Sequence, residues 1–264
     1  MIYEIIYFFI VGLLAGVVGG LFGVGGGFLF IPAQLFIYNY FDIPEEIQMK
    51  MAIATSLGAV VFNTLAASFA HYKKNAIYFP ILKKILPGIV IGSILGSYVT
   101  KMVPSNLLGF IFGAFECLFG FYFIIARPVH ETTPIKNINP LIMNTIVAFT
   151  SGLSIILGIG GGIFLIPLLT LLHLPLKKAI GSSSLATLAV AFLGTITLLI
   201  PTIPLKTTTF STGYLYLPAF LPLALSAIIG APIGVKLTHY LPTKILKKCF
   251  GLFLIVIGIF ILLK

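Results

Sequence analysis

The sequence predicts an all-α polytopic membrane protein: two inverted repeats of about five helical segments each, with a glycine-broken or re-entrant helix at the start of each repeat. Three observations lead there: an apolar composition from end to end, a glycine-rich motif that occurs twice, and a lopsided placement of basic residues. Of the 264 residues, 59% are hydrophobic and only 8% charged, with a mean hydropathy of +1.16. Soluble domains carry about a quarter charged residues. Apolar runs of about 18 or more residues, the length a bilayer-crossing helix needs, recur along the whole chain.

Apolar segments fall at about 2–22, 28–41, 51–70, 85–100 and 106–126, then at 141–157, 162–172, 180–200, 217–235 and 245–263. This divides the chain into a first membrane repeat (1–126), a linker (127–140) and a second membrane repeat (141–264). No polar stretch is long enough for a soluble domain. The start, Met1-Ile2-Tyr3-Glu4, has no basic region, so the first segment reads as a membrane span and not as a removable signal.

Gly23-Val24-Gly25-Gly26-Gly27-Phe28-Leu29-Phe30-Ile31-Pro32 returns 135 residues later as Gly158-Ile159-Gly160-Gly161-Gly162-Ile163-Phe164-Leu165-Ile166-Pro167. Each Gly in a helix interior costs about 1 kcal/mol relative to Ala, so four within five positions break the helix. Such a break frees the backbone for positive φ and uncovers its N–H groups. The repeat extends further: Thr55-Ser56-Leu57 aligns with Ser183-Ser184-Leu185. Gly92, Gly96, Thr100 and Pro104 align with Gly230, Gly234, Thr238 and Pro242 at a shift of 138.

Basic residues decide how the segments cross. If each half crossed four times, Lys and Arg would divide 8 against 8 between the two sides. If the chain turns at the glycines, five segments per half place 12 on one side and leave Lys50, Lys101, Lys206 and Lys264 on the other. The second arrangement satisfies the positive-inside rule. It inverts the second half relative to the first and puts both termini outside the cytoplasm, in the cell (inner) membrane. The segments after the glycines, at about 14 and 11 residues, are short for full crossings and suit re-entrant arms.

The candidate site follows from the inversion. Gly23, Gly25, Gly26 and Gly27 would meet Gly158, Gly160, Gly161 and Gly162 near mid-membrane. Uncovered N–H groups and two helix N-termini would there face a small anion. Discontinuous helices play this part in inverted-repeat transporters. The structural alternative is close helix packing through small residues. Thr55 and Ser56, with Ser182, Ser183 and Ser184, open the third segment of each half; they either donate to the anion or serve as helix caps. Gln34, Asn63 and Thr64 are weaker candidates, because their aligned partners are Leu169, Ala191 and Phe192.

Glu116 is a carboxylate deep in an apolar segment, where charge is costly, and its aligned partner is Leu254. It either carries a coupling proton or pairs with a polar group on a neighbouring helix. His71, His130, His173 and His239 fall at segment ends or in loops, as interfacial residues do. Cys117 and Cys249 form no metal or disulfide pattern. No phosphate loop, metal cluster or catalytic constellation is present, so the reading is not an enzyme, with no cofactor and no metal. The net charge of +10 is explained by orientation in the bilayer and not by nucleic acid. The implied partners are a small anionic substrate and the lipid bilayer, with homo-oligomerisation left open.

The paired glycine motifs, with Ala54-Thr55-Ser56-Leu57, Gly213-Tyr214-Leu215-Tyr216-Leu217-Pro218 and Gly230-Ala231-Pro232-Ile233-Gly234, resemble the TauE/SafE family of membrane transporters, known for sulfite export. The resemblance covers almost the full chain. It implies secondary movement of small sulfur-containing anions (sulfite, sulfonates or related compounds) or small organic anions across the cytoplasmic membrane. The first half departs from the family pattern, with Ala54 where Gly often precedes Thr-Ser, so the resemblance does not carry over a substrate. A membrane interaction or assembly subunit without transport is the alternative function.

Overall fold

The computed structural model describes residues 2–38, 40, 43–125, 138–200, 210–238 and 243–263. Most of the linker expected at 127–140 lies outside these residues, as do Asp42, Arg127, His130, Lys136, Lys206, His239, Pro242, Lys264 and the side chains of Lys244, Lys247 and Cys249.

The described chain is almost entirely helical. Its ten helices are α1 (Ile2–Phe22), α2 (Gly27–Tyr38), α3 (Glu45–Lys73), α4 (Phe79–Met102), α5 (Ser105–Ile125), α6 (Pro140–Ile156), α7 (Gly162–Leu171), α8 (Leu176–Leu198), α9 (Leu217–Leu237) and α10 (Thr243–Leu262). They coincide with the ten apolar segments of the sequence. Helices α1, α3, α4, α5, α8 and α9 are long and apolar enough to cross a membrane. At 1.5 Å per residue, α2 and α7 reach only about 18 and 15 Å, roughly half a hydrocarbon core.

Local chemistry sets several boundaries. Helix α6 starts at Pro140, where a missing N–H does no harm, and Asn139 caps it by accepting from Leu141 N at 2.9 Å. Beside Pro87, inside α4, Asn144 of α6 bridges the backbone: its Oδ1 accepts from Gly88 N at 2.8 Å and its Nδ2 donates to Lys84 O at 3.0 Å. A neighbouring helix thus satisfies groups that a proline kink uncovers, which is how membrane helices tolerate proline. A two-residue-per-strand hairpin, β1 (Ser211–Thr212) and β2 (Leu215–Tyr216), precedes α9. It was not foreseen from the sequence.

Helix directions can be read from contacts. Gly26 packs on Ala15 O, and Tyr7 donates to Ala33 O at 3.3 Å, so α2 runs back along α1. The chain reverses at the first glycine break. Gly12, Gly16 and Gly20 of α1 lie on Leu223, Ala227 and Ala231 in turn, so α1 and α9 are parallel. Gly88, Gly92 and Gly96 of α4 lie on Asn144, Ala148 and Gly152, so α4 and α6 are parallel as well. Helices α5 and α10 are antiparallel, with Gly113 against Gly258 and Gly120 against Gly251. Helices α3 and α8 are antiparallel too: Leu57 packs near Gly194, and Ser68 bonds Ser184 at 3.3 Å. Glycines four residues apart in α1 and α4, and seven apart in α5 and α10, let those backbones touch, the usual means of close association in a membrane.

Candidate functional site

The two breaks have the same backbone. Gly158 takes φ 64° and ends α6 in a Schellman motif: its N–H bonds Ile155 O at 2.9 Å, and Ile159 N bonds Ser154 O at 3.1 Å. Gly23, at φ 67°, ends α1 in the same way, with Val24 N on Gly19 O at 3.2 Å. Two further left-handed glycines follow in each break: Gly25 (90°) and Gly26 (85°), and Gly160 (82°) and Gly161 (111°). The next helix then starts on Gly27 or Gly162. Three positive-φ residues in four are open to glycine alone at low cost.

The breaks touch main chain to main chain. Gly27 lies on Gly158 O and Gly162 lies on Gly23 O; a Cβ at Gly27 would stand 2.7 Å from Ile159 Cα. All eight motif glycines are buried. Among the described residues, the N–H groups of Gly25, Gly26 and Gly27, and of Gly160, Gly161 and Gly162, donate to no acceptor. Buried unpaired backbone donors are rare and costly, and here six gather around one crossing. Each break also opens a helix, whose N-terminal end favours negative charge.

Hydroxyls from α3 and α8 meet the breaks on their carbonyl side. Ser56 donates to Gly158 O at 2.8 Å and reaches Gly27 O at 3.5 Å. Ser183 reaches Gly23 O at 3.5 Å and Gly162 O at 3.4 Å. Thr55 Oγ1 accepts from Tyr216 N at 2.9 Å, and Ser182 Oγ accepts from Tyr78 N at 2.8 Å. These pairs correct the repeat register. Thr55 and Ser56 match Ser182 and Ser183, at a shift of 127, and not Ser183 and Ser184. Ser184 faces Ser68, away from the glycines. Thr55 and Ser182 anchor the entries to α9 and α4. In this conformation, Ser56 and Ser183 link the breaks to each other.

The flanking side chains are less symmetric. Val60 Cγ1 would stand 2.7 Å from a Cβ at either Gly25 or Gly160, so one residue packs over both breaks; Thr187 lies beside them, with its hydroxyl buried and unpartnered. Sequence reasoning missed Thr187, although it lies one helical turn beyond Ser183 on the same face. Asn63, a weaker candidate, donates from Nδ2 to Gly25 O at 2.7 Å and leaves Oδ1 buried and unpartnered. At the 127 shift its partner is Val190, which only packs on Gly161. Thr64 bonds its own helix at Val60 O. Gln34 donates to Phe30 O and Ala52 O and accepts from Tyr38 at 2.7 Å. Tyr38 in turn meets Tyr216 edge to face at 5.7 Å. This network joins α2, α3 and the β-hairpin.

Glu116 is 4% exposed, and its Oε2 has no hydrogen-bond partner. It borders a small cavity with Leu157, Ile159 and Ile163, residues that flank and enter the second break. The structure therefore places it beside one glycine element and not the other. His71 lies in the last turn of α3, at the segment end expected of it, and is buried.

The sequence profile of the family described as Sulfite exporter TauE/SafE matches residues 8–261. A protein of Methanocaldococcus jannaschii named a probable membrane transporter protein is 32% identical, with 96% of this chain and 94% of that protein covered. A Haemophilus influenzae protein of the same name is 29% identical, with 97% of each covered. YunE of Bacillus subtilis, also named a probable membrane transporter protein, is 27% identical over 94% of each. No solved structure gives a significant match. These names describe membrane transporters and not enzymes. A multi-pass helical chain whose two glycine breaks meet at its centre, and which the profile matches from residue 8 to residue 261, belongs to the TauE/SafE family of membrane transporters.

Proposed function

We propose that this protein is a secondary transporter of small anions, either sulfur-containing species such as sulfite and sulfonates or small organic anions, and that it binds them between the two glycine breaks. The observation that carries this reading is the set of six unpaired N–H groups on Gly25, Gly26, Gly27, Gly160, Gly161 and Gly162. An anion is the ligand that oriented N–H groups and two helix N-termini favour. Ser56, Ser183 and, less directly, Thr55 complete the proposed surroundings, while Ser184, expected there, turns to Ser68 instead. In the closed arrangement Ser56 and Ser183 donate to backbone carbonyls, so they would reach substrate only once the breaks part.

The halves are proposed to be inverted repeats, 1–126 and 141–264. Helix directions support this: α3 opposes α8, α5 opposes α10, and the parallel pairs α1 with α9 and α4 with α6 exchange partners between halves. Alternating access in such proteins moves one repeat against the other around a central site. The basic-residue bias supports a cytoplasmic-membrane location with both termini outside the cytoplasm.

Purified protein warmed with sulfite, thiosulfate, taurine, isethionate or acetate tests the site. A bound anion at 100 times its dissociation constant stabilises by about 2.7 kcal/mol. We expect at least one sulfur oxyanion to raise the melting temperature, and G26L and G161L to abolish that rise. Absence of any shift, with no anion flux in proteoliposomes, rules the reading out.

A further inference from the structure

Glu116 lies in the middle of α5, almost fully buried, with Oε2 free of any hydrogen bond. Its cavity is otherwise lined by Phe112, Phe115, Phe119, Leu157, Ile159 and Ile163. Ile159 and Ile163 bracket Gly160, Gly161 and Gly162, the residues whose N–H groups are unpaired. A buried acceptor without a donor therefore shares its cavity with the two residues that flank buried donors without an acceptor. Either mismatch alone is costly, and each is what the other lacks.

The first break has no such neighbour. The aligned positions are Leu254 for Glu116, Phe22 for Leu157, Val24 for Ile159 and Phe28 for Ile163. Leu254, Val24 and Phe28 are fully buried apolar groups. Two larger aromatic rings and a leucine thus occupy the counterpart of the space that Glu116 borders. Around Glu116, no ionisable side chain of α3, α7 or α10 lines the cavity among the described residues. Phe164 of α7 packs on Phe115 and Phe119, and α10 presents Ile255 and Gly258 to the next residue, Cys117. The Cys117 thiol, the neighbouring titratable group on the same helix, turns toward Ile255 O at 3.8 Å.

We propose that Glu116 is a resident anion that competes with the substrate for the N–H groups of the second break, so that each anion is carried together with one proton. The proposal rests on the anion site of the preceding section. When ionised, the Glu116 carboxylate accepts from the donors of Gly160, Gly161 and Gly162 and keeps a second negative charge out. When a proton binds the carboxylate, the donors are released to the substrate anion. On the far side the anion leaves, the proton dissociates, and the carboxylate reclaims the donors. One proton and one anion enter and leave together, so protons balance over the cycle, and a doubly charged anion moves one net negative charge with each turnover. Only the second break carries this control, and the first provides a constant set of donors.

The test uses thiosulfate, a dianion that does not titrate between about pH 5 and 8, in proteoliposomes under a one-unit pH gradient with the membrane potential clamped at zero by potassium and valinomycin. One proton per anion supports about tenfold accumulation. We expect the parent protein to accumulate thiosulfate toward that limit. E116Q, which cannot ionise, should lose accumulation while continuing to exchange thiosulfate across the membrane at a rate that no longer depends on pH. E116D, which keeps a carboxyl group, should retain the pH dependence and guards against a mere folding defect in E116Q. Infrared titration of the ligand-free protein should show a carboxyl band that ionises over this range and is missing in E116Q. If E116Q keeps the parent's accumulation and pH profile, or the band never titrates, Glu116 is a structural group and the proposal fails while the anion site stands. If the parent moves neither thiosulfate nor any other of the anions above, the transporter reading fails and takes this proposal with it.

Discussion

The two glycine breaks share a backbone but not their surroundings. Both end a helix in the same left-handed turn, both start the next helix on a glycine, and each rests on the other's main chain. Yet a Cβ at Gly26 would stand 2.8 Å from Ala15 O and 3.0 Å from the Asn63 amide nitrogen, while the nearest group to a Cβ at Gly161 is Val190 at 3.5 Å. Asn63 holds Gly25 O at 2.7 Å, and the corresponding Val190 cannot donate at all. The first break is fastened and enclosed by apolar side chains. The second has more room and a carboxyl group beside it. The two halves share the element that must be built from glycine and differ in the side chains around it.

The largest test of this comparison is also its control. G27A and G162A each force a methyl group into the opposite main chain, and overpacking of this kind costs about 1–3 kcal/mol, occasionally more. The two should be equally damaging in a denaturant titration of purified protein, because their contact is reciprocal. A large difference between them would break the symmetry of the crossing itself. Next come G26A and G161A. Both pay about 1–2 kcal/mol for a left-handed non-glycine residue, but only G26A also meets backbone. G26A should therefore be the less stable variant by differential scanning fluorimetry, and equal melting temperatures would remove the contrast.

Smaller effects sharpen it. N63V gives the first half the second half's residue. It should cost about 1 kcal/mol for the lost hydrogen bond to Gly25 O and loosen residues 23–27 toward hydrogen exchange. Unchanged exchange there would mean that Asn63 does not fasten the break. The smallest contrast is between S56A and S183A. Ser56 donates at 2.8 Å, whereas both reaches of Ser183 are 3.4 Å or longer. S56A should cost about 0.5–1.5 kcal/mol and S183A measurably less, in the same titration.

Much of this architecture was legible in the sequence, for reasons particular to a bilayer. Hydrophobic length alone located all ten helices. The reversal at Gly23–Gly27 could be inferred from lysines far from it, because positive charge reports which side a loop occupies. Gly26 against Ala15 then showed the turn directly. Register was harder. The match of Ser56-Leu57 with Ser184-Leu185 favours a shift of 128, but side-chain identity is a weak guide when serines come three in a row. Hydrogen-bond partners decide for 127: Thr55 with Ser182 and Ser56 with Ser183. The serines were recognisable as polar groups at the core, but a sequence does not say whether a hydroxyl donates to a carbonyl or faces a ligand. The β-hairpin at 211–216 has two residues per strand, too few for any periodicity. Glu116 was conspicuous for its depth. Its cavity beside the second break, lined by Leu157, Ile159 and Ile163, is a matter of packing that the sequence does not show.

One property of the crossing bears on selection among substrates. Donors supplied by the main chain have no ionisation state and no side chain to replace. The donors of Gly25–Gly27 would therefore offer the same attraction at any physiological acidity, while those of Gly160–Gly162 would answer to acidity only through Glu116. A point mutation could remove that attraction only by disturbing the backbone. Discrimination between one anion and another must then come from the wall around these donors, from Asn63, Val60, Thr187 and Val190. Those positions can change without dismantling the turn, which would let one scaffold be retuned for different cargoes while its central element stays fixed.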